Sequence, residues 1–531
     1  MIDFKFSSEK LFDQKFEKSV KADCYVMFLK SDFDFSKDLQ EIERKYLPNL
    51  EAFFALKDFK GEAKSSLLMH ATDKKEIFHT LFLGLGKANS EKDVKDKNDK
   101  NKKNKSLKKG SGILEIENLR RALGVLIRVV EKNKFKNIVI ELPSAELFGV
   151  TEEFFAKQIA TILNMANYHF DCFITTESCK LPKDYNIILI ADKSRISALK
   201  AGLHEGEIIG EAVNIARHAI DLPAANMNPQ DLVNLAKAIA KENKLKITVF
   251  DEEDIIKMGM GGLAAVSKGS DRDCALVIME YKTSKKNAST LAFVGKGITF
   301  DSGGLSLKPA NSMETMKEDM SGAAAVIASM EAFAKLKPEV NIICVAPISE
   351  NLPSGKATKP GDIITFYNGK TAEVRNTDAE GRLILADALS YVEDKYKPDI
   401  IIDLATLTGA CQYALGHFYC GMMSKDTDLI SKVQKASDLS GDRVWNLPFH
   451  DDYKAAIKSS VADICNIGSP KYMAGTVTAG FFLSNFVDHT PWLHLDIAGT
   501  AFNVPDMPYY RDGATGFGVR LLVELVCNWN K

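Results

Sequence analysis

Two hydrophobic periods alternate along this chain. In the first third, short apolar runs at 24–29, 78–84, 137–142 and 186–191 predict buried strands. Between them, Ile116, Leu119, Leu123, Leu126, Ile127 and Val130 mark one face of an amphipathic helix, and Phe155, Ile159, Ile162 and Leu163 mark another. A helical stretch over 196–220 leads to Asp221-Leu222-Pro223, where a domain boundary is expected. Beyond it, Asn228 as cap and Pro229 at the first helical position predict a helix to about 243, followed by a strand at 247–250. Further strands are expected at 275–281, 290–295, 340–347 and 400–405, and helices at 321–335 and 383–396. Asn368-Gly369 between two β-rich runs predicts a type I′ hairpin. The whole reads as α/β in two domains: 1–195, a connecting helix at 196–220, and 221–531.

Composition narrows this reading. At 531 residues, 45% apolar and 26% charged, the chain is long enough for two globular cores. A net charge of −2 supplies no global field for nucleic acid or membrane capture, and no run reaches signal or membrane-spanning length, so a cytoplasmic protein is expected. The nine cysteines include no C-x-x-C pair and His204-Glu205 lacks a second His four positions on, so any metal must sit on oxygen ligands and lysine. The segment 91–110, nearly all Lys, Asn, Asp and Ser, predicts a disordered surface insertion; its interspersed acids and lack of aromatics argue against a nucleic-acid patch.

Chemistry is concentrated in two places. Asn376-Thr377-Asp378-Ala379-Glu380-Gly381-Arg382 crowds two carboxylates and a guanidinium into a glycine-broken turn before an apolar helix. Earlier, Gly295-Lys296-Gly297-Ile298-Thr299-Phe300-Asp301-Ser302-Gly303-Gly304 follows a strand, with Lys308 and Asp319 soon after. Two carboxylates about 4 Å apart repel by roughly 4 kcal/mol at an effective dielectric of about 20, so four acids cannot share an unneutralised pocket. Two divalent ions would balance them and could acidify a bridging water between them. The helix after Gly381 offers free N–H groups to an anion beside Arg382. Phosphate-loop and serine-hydrolase readings lack their residues: Gly295-Lys296 has no upstream Gly at the required spacing, and Asp301-Ser302-Gly303 is not G-x-S-x-G. Gly259-Met260-Gly261-Gly262 reads as a helix-end turn.

The segments 294–308, 316–319 and 376–385, with Asp403-Leu404-Ala405-Thr406-Leu407-Thr408-Gly409 and Trp492-Leu493-His494-Leu495-Asp496-Ile497-Ala498-Gly499, resemble the signature segments of the M17 leucyl aminopeptidase family. The N-terminal third is similar to the family only in its general α/β character. The resemblance implies a smaller N-terminal α/β domain and a larger catalytic domain with a mixed central sheet flanked by helices. It implies that Lys296, Asp301, Asp319 and Glu380 hold the tighter metal, and Asp301, Asp378 and Glu380 the exchangeable one. Zinc is implied in the tighter site, and zinc, manganese, magnesium or cobalt in the other. Lys308 resembles the lysine that polarises the scissile carbonyl, and Arg382 the arginine that holds a bicarbonate acting as general base. A bridging hydroxide would be the nucleophile, and the substrate's free α-amine would fix register at the first residue. Met316 and Ala498 match the apolar first-residue pocket, although spacing alone fits Met316 to ordinary helix core equally well; Thr406, Leu407 and Gly409 match the strand end that contacts substrate backbone. The resemblance further implies leucine-like N-terminal residues of short peptides as substrate and a homohexamer. A DNA-binding role and an inactive scaffold are the alternatives; near-neutral charge disfavours the first and the intact ligand set the second.

Overall fold

In the computed structural model, residues 2–9, 21–45, 47–73, 76–89, 113–176, 181 and 183–530 are described, and the insertion expected at 91–110 lies outside them. The chain divides into two compact units, Met1–Glu211 with Asp506–Arg511, and Ala212–Pro505 with Asp512–Lys531. The expected connecting stretch coincides with one helix, Ile196–Asp221, within which the units divide.

The first unit is built on a six-stranded sheet of β1 (Ile2–Ser7), β2 (Cys24–Lys30), β3 (Ser66–Asp73), β4 (Glu76–Gly86), β5 (Asn137–Glu141) and β6 (Tyr185–Ile190), in the order β1-β6-β5-β2-β4-β3. All neighbours are parallel except β3, which runs antiparallel to β4. The expected strands are β2, β4, β5 and β6. The two edge strands escaped the pattern: β1 buries Ile2 but exposes Asp3 and Lys5, so it carries no continuous apolar run. The helices Ile116–Lys132 and Glu152–Asn167 bury Leu119, Leu123, Leu126, Ile127 and Val130 and Phe155, Ile159, Ile162 and Leu163, as their spacing requires.

The second unit holds a nine-stranded mixed sheet of β7 (Lys246–Phe250), β8 (Ala275–Tyr281), β9 (Thr290–Gly295), β10 (Gly297–Asp301), β11 (Asn341–Asn351), β14 (Ile400–Ala405), β15 (Cys420–Ser424), β16 (Val444–Asn446) and β18 (Trp492–Asp496). A small sheet joins β12 (Ile363–Thr365), β13 (Thr371–Glu373) and β17 (Ile464–Cys465). At the centre, β11, β9, β14 and β18 are parallel neighbours, so their carboxyl ends open on one side, where α/β sheets bind ligands. Ala292, Val294, Ile343, Val345, Ile401 and Ala405 of this sheet share a buried cluster with Leu385, Ala388, Leu389 and Val392 of the helix Gly381–Tyr396. Burying each Leu or Val contributes about 1.5–3 kcal/mol, so this packing fixes the helix whose first turn carries the acids. Asn228 and Asp231 form the capping box of the helix Pro229–Asn243. Gly259-Met260-Gly261-Gly262 ends the helix Glu252–Lys257 and opens the next, Gly261–Ser267.

The hairpin differs from the type I′ expectation. That turn needs two central residues with positive φ, but here only Gly369 has one (83°). Gly369 N–H donates to Phe366 O and Phe366 N–H to Lys370 O, closing a three-residue loop with Gly369 in the left-handed position. The deciding partner lies outside the hairpin: Asp387 Oδ1 accepts the Tyr367 N–H at 2.8 Å while its Oδ2 accepts that of Leu263 at 2.9 Å.

Burial pushes the Asp387 carboxyl up to about 7 despite these two bonds. The folded value lies above the ordinary value of about 3.9, so folding favours the protonated form; the stability this contributes is complete below about pH 4 and is lost as pH rises through about 7. Asp387→Asn lacks that dependence. Urea unfolding at about pH 5 and about pH 8 should show wild type losing ground to the variant at the higher pH, whereas an equal difference at both would contradict the assignment.

Candidate active site

The two sequence clusters meet at the carboxyl ends of the central strands. Lys296 links β9 to β10, its N–H donating to Leu404 O (3.0 Å) and its carbonyl accepting from Ala323 (2.8 Å). Asp301 ends β10, a five-residue strand too glycine-bound to be expected from its pattern. Asp319 lies in the 3-10 turn Met316–Met320, and Asp378 and Glu380 in the turn that opens the helix Gly381–Tyr396. Lys308 closes the loop after Asp301, its N–H donating to Ser302 O at 2.9 Å.

These side chains form one buried cluster. Lys296 Nζ stands 2.8 Å from Asp319 Oδ2 and 2.9 Å from Glu380 Oε1, and donates to Thr406 O at 2.9 Å. Lys308 Nζ stands 2.9 Å from Asp301 Oδ2 and 2.5 Å from Asp378 Oδ1. Asp301, Asp378 and Glu380 each present a carboxylate oxygen within 4.8 Å of the others, the spacing of a shared cation site. Gly381 permits this crowding, since a Cβ there would stand 2.4 Å from Lys296 Cε. Lys296, Asp301, Asp319 and Glu380 are at most 4% exposed, which leaves three acids around one lysine almost without water, with Asp378 and Lys308 at the solvent-reached edge. Asp319 Oδ2 and Asp378 Oδ1 are buried and each faces a lysine ammonium at ion-pair distance, Lys296 and Lys308 respectively, so in this arrangement the lysines neutralise the oxygens that a metal cation would otherwise meet.

The electrostatics follow from this crowding. Burial would lower the Lys296 ammonium, but Asp319, Glu380 and Asp301 override it and hold it well above the usual lysine range. Asp301 is pushed up to about 7 by burial and by Glu380, against the two lysines. Burial raises Asp319 and Asp378 as well; Glu380, between Lys296 and Lys308, stays below its ordinary value despite burial. Burial brings Arg382 down to about 10, still charged at neutral pH.

Arg382 faces an adjoining cavity of about 310 Å³ lined also by Asn376, Asp378, Leu407, Gly409 and Met473. Its Nη1 donates to Asn466 O at 2.8 Å, while its buried Nε has no hydrogen-bond partner among the described residues. Thr406 Oγ1 donates to Asp319 Oδ1 (2.8 Å), which ties the end of β14 to the acids. Met316 and Ala498, expected in a substrate pocket, are half-buried and do not line this cavity. Ala498 is nevertheless coupled to its wall, because Asp496 Oδ1 accepts the N–H groups of Leu407, Thr408 and Ala498.

Sequence reasoning missed three polar residues here. Asn351 Nδ2 donates to Asp301 Oδ1 (2.8 Å) and to Thr377 O (3.0 Å), joining the two clusters; its only signal is a polar residue ending a core strand at the carboxyl edge. Asp496 lies in a segment quoted for resemblance but was given no role. Asn466, between Cys465 and Ile467, carries no local signal.

The description "Cytosol aminopeptidase family, catalytic domain" matches residues 214–523, and the family's N-terminal domain matches 26–176. The chain belongs to the cytosol aminopeptidase family. It is similar to a probable cytosol aminopeptidase of Chlorobaculum parvum (39% identity, 96% of this chain and 98% of that one) and to another of Alkaliphilus oremlandii (37%, 89% and 90%). Among solved structures it is similar to a tomato leucine aminopeptidase mutant (28% identity, TM-score 0.82, 99% and 97% covered) and to the bottromycin maturation enzyme BotP in complex with Mn (27%, 0.80, 96% and 100%). The chain is thus a metallo-aminopeptidase with the family's two-domain architecture, and peptides are its substrates. No described helix is long and apolar enough to cross a membrane.

Proposed function

We propose that this chain removes the N-terminal residue, preferably leucine or another apolar one, from short peptides with two divalent ions. The observation that carries this is the convergence of Asp301, Asp378 and Glu380 oxygens within 4.8 Å, flanked by Lys296 and Asp319. Lys296, Asp301, Asp319 and Glu380 would hold one ion, and Asp301, Asp378 and Glu380 the other. When bound, the ions supply Lewis acidity to the scissile carbonyl and make water a nucleophile near neutral pH. Zinc, with zinc, manganese, magnesium or cobalt at the second place, fits a set of oxygen ligands and one amine.

The chain's own groups carry the rest. Lys308 keeps its proton and aims an ammonium at the oxygen that gains charge during attack. Arg382, whose buried Nε has no hydrogen-bond partner among the described residues, holds an anion at the start of the helix Gly381–Tyr396; we take it to be bicarbonate, acting as general base. Thr406, Leu407 and Gly409 would orient the peptide backbone, with Met316 and Ala498 shaping the first-residue pocket. A cytoplasmic homohexamer is the proposed setting.

Hydrolysis of a leucine-linked chromogenic amide, paired with metal analysis, tests this. Activity should vanish with a chelator and return with added zinc or manganese, and chelator-resistant turnover would refute the reading. Protons and dications compete for these ligands, and without metal, burial and Glu380 push Asp301 up to about 7, so activity and metal content should fall together as the pH drops below neutral. Full activity with retained metal below about pH 6 would contradict that coupling.

A further inference from the structure

We infer that Asn466 is a positioning residue that holds Arg382 and the acid turn in mutual register, an inference that rests on the proposed role of Arg382. Asn466 follows β17, is fully buried, and uses every polar group it has. Its Oδ1 accepts the N–H groups of Arg375 (2.8 Å) and Asn376 (3.4 Å), and its Nδ2 donates to Asn376 O (2.6 Å). Its own N–H donates to Glu373 O (3.0 Å), and its carbonyl accepts from Arg382 Nη1 (2.8 Å).

The logic is that of a strand ladder continued by a side chain. β13 and β17 pair through Glu373 and Cys465, and two residues after Glu373 the backbone at Arg375-Asn376 departs toward the acids. A carboxamide offers one acceptor group and one donor group, matching the N–H and C=O of the departing segment; no aliphatic, hydroxyl or carboxylate side chain supplies both at this length. Asn376 passes the constraint on, its Oδ1 accepting the Asp378 N–H at 2.8 Å. Downstream, Ile467, Gly468, Ser469 and Pro470 line the cavity that Arg382 faces. One side chain and one carbonyl therefore set Asp378, Arg382 and the cavity wall relative to one another. For Arg382 this carbonyl is the hydrogen-bond acceptor seen among the described residues, so its guanidinium depends on where Asn466 stands.

The test is steady-state kinetics of Asn466→Ala and Arg382→Ala, singly and together, with metal content measured on each and bicarbonate varied. We expect Asn466→Ala to lower kcat by about 10–100-fold with KM changed by no more than about threefold, metal content at the wild-type level, and a higher bicarbonate requirement. In the Arg382→Ala background the same change should cost clearly less than it does alone, because part of its effect runs through the guanidinium that the Asn466 carbonyl holds. Wild-type kcat in Asn466→Ala, an undiminished loss in the Arg382→Ala background, or loss of metal would each overturn the inference. Should Asn466→Ala not fold, Asn466→Asp keeps the size and both accepted N–H bonds but turns an oxygen toward Asn376 O, and the same outcomes apply to it. If Arg382→Ala itself turns over normally, the role of Arg382 fails and this inference with it. An impaired Arg382→Ala beside a normal Asn466 variant sinks the inference alone.

Discussion

Asp378→Ala and Glu380→Ala should each lower kcat/KM by at least about 10³-fold, the several kcal/mol that metal-ion catalysis supplies. Glu380 is the more central of the two. It is buried, it pairs with Lys296, and Asn351 Nδ2 stands 3.5 Å from its Oε2. Its removal takes a ligand from both proposed ions at once and leaves Lys296 with Asp319 as its remaining close acid, so metal content should fall at both places. Asp378 is the most exposed of the four acids, with a side chain 31% accessible, so Asp378→Ala should cost little stability while losing the exchangeable ion. Metal analysis and chromogenic-amide kinetics on the purified variants check both statements. Wild-type turnover in either would refute the assignment.

Lys308→Ala should leave metal content unchanged and lower kcat by about 10²–10³-fold, the range for loss of a single preorganised oxyanion donor. Lys308 differs from Lys296 in its position. Lys296 is 3% exposed and donates inward to Thr406 O, whereas Lys308 lies on a loop with 15% of its side chain reached by solvent. Burial would lower Lys308, but Asp301, Glu380 and Asp319 hold it above its ordinary value, so it carries its charge throughout the working pH range. Single-turnover rates should fall with kcat while KM moves little. Loss of metal in Lys308→Ala, or an unchanged single-turnover rate, would assign this lysine to a different task.

Why some of this was legible and some was not has a physical explanation. The central strands and their helices announce themselves because both faces of a parallel sheet are covered, so β9 and β11 carry continuous apolar runs and β14 is broken only by Asp403. Lys296, Asp301, Asp378 and Glu380 stand out because charge beside glycine at the end of such a run has no packing explanation. β1 and β3 are edge strands, and β1 alternates apolar and polar residues over Ile2–Ser7, so a search for continuous apolar runs passes over it; β10 is a glycine-flanked strand with a register shift between Ile298 and Asp301, which breaks its period-two pattern. The hairpin turn was misread because its conformation answers to Asp387, on a helix the hairpin sequence cannot report. Asn351, Asn466 and Asp496 were illegible for a related reason: their bonds to Asp301, Thr377, Asn376, Leu407 and Thr408 span 26 to 90 positions, and an amide or carboxylate that serves distant backbone looks, locally, like any other polar residue.

The claim on which the rest depends is that these acids enclose two ions. Anomalous diffraction from crystals of catalytically active, manganese-loaded protein tests it most directly. The account predicts two metal peaks, one among Asp301, Asp378 and Glu380 and the other reached by Lys296 and Asp319. Active crystals in which those acids contact only Lys296 and Lys308, with the metal bound elsewhere, would contradict it.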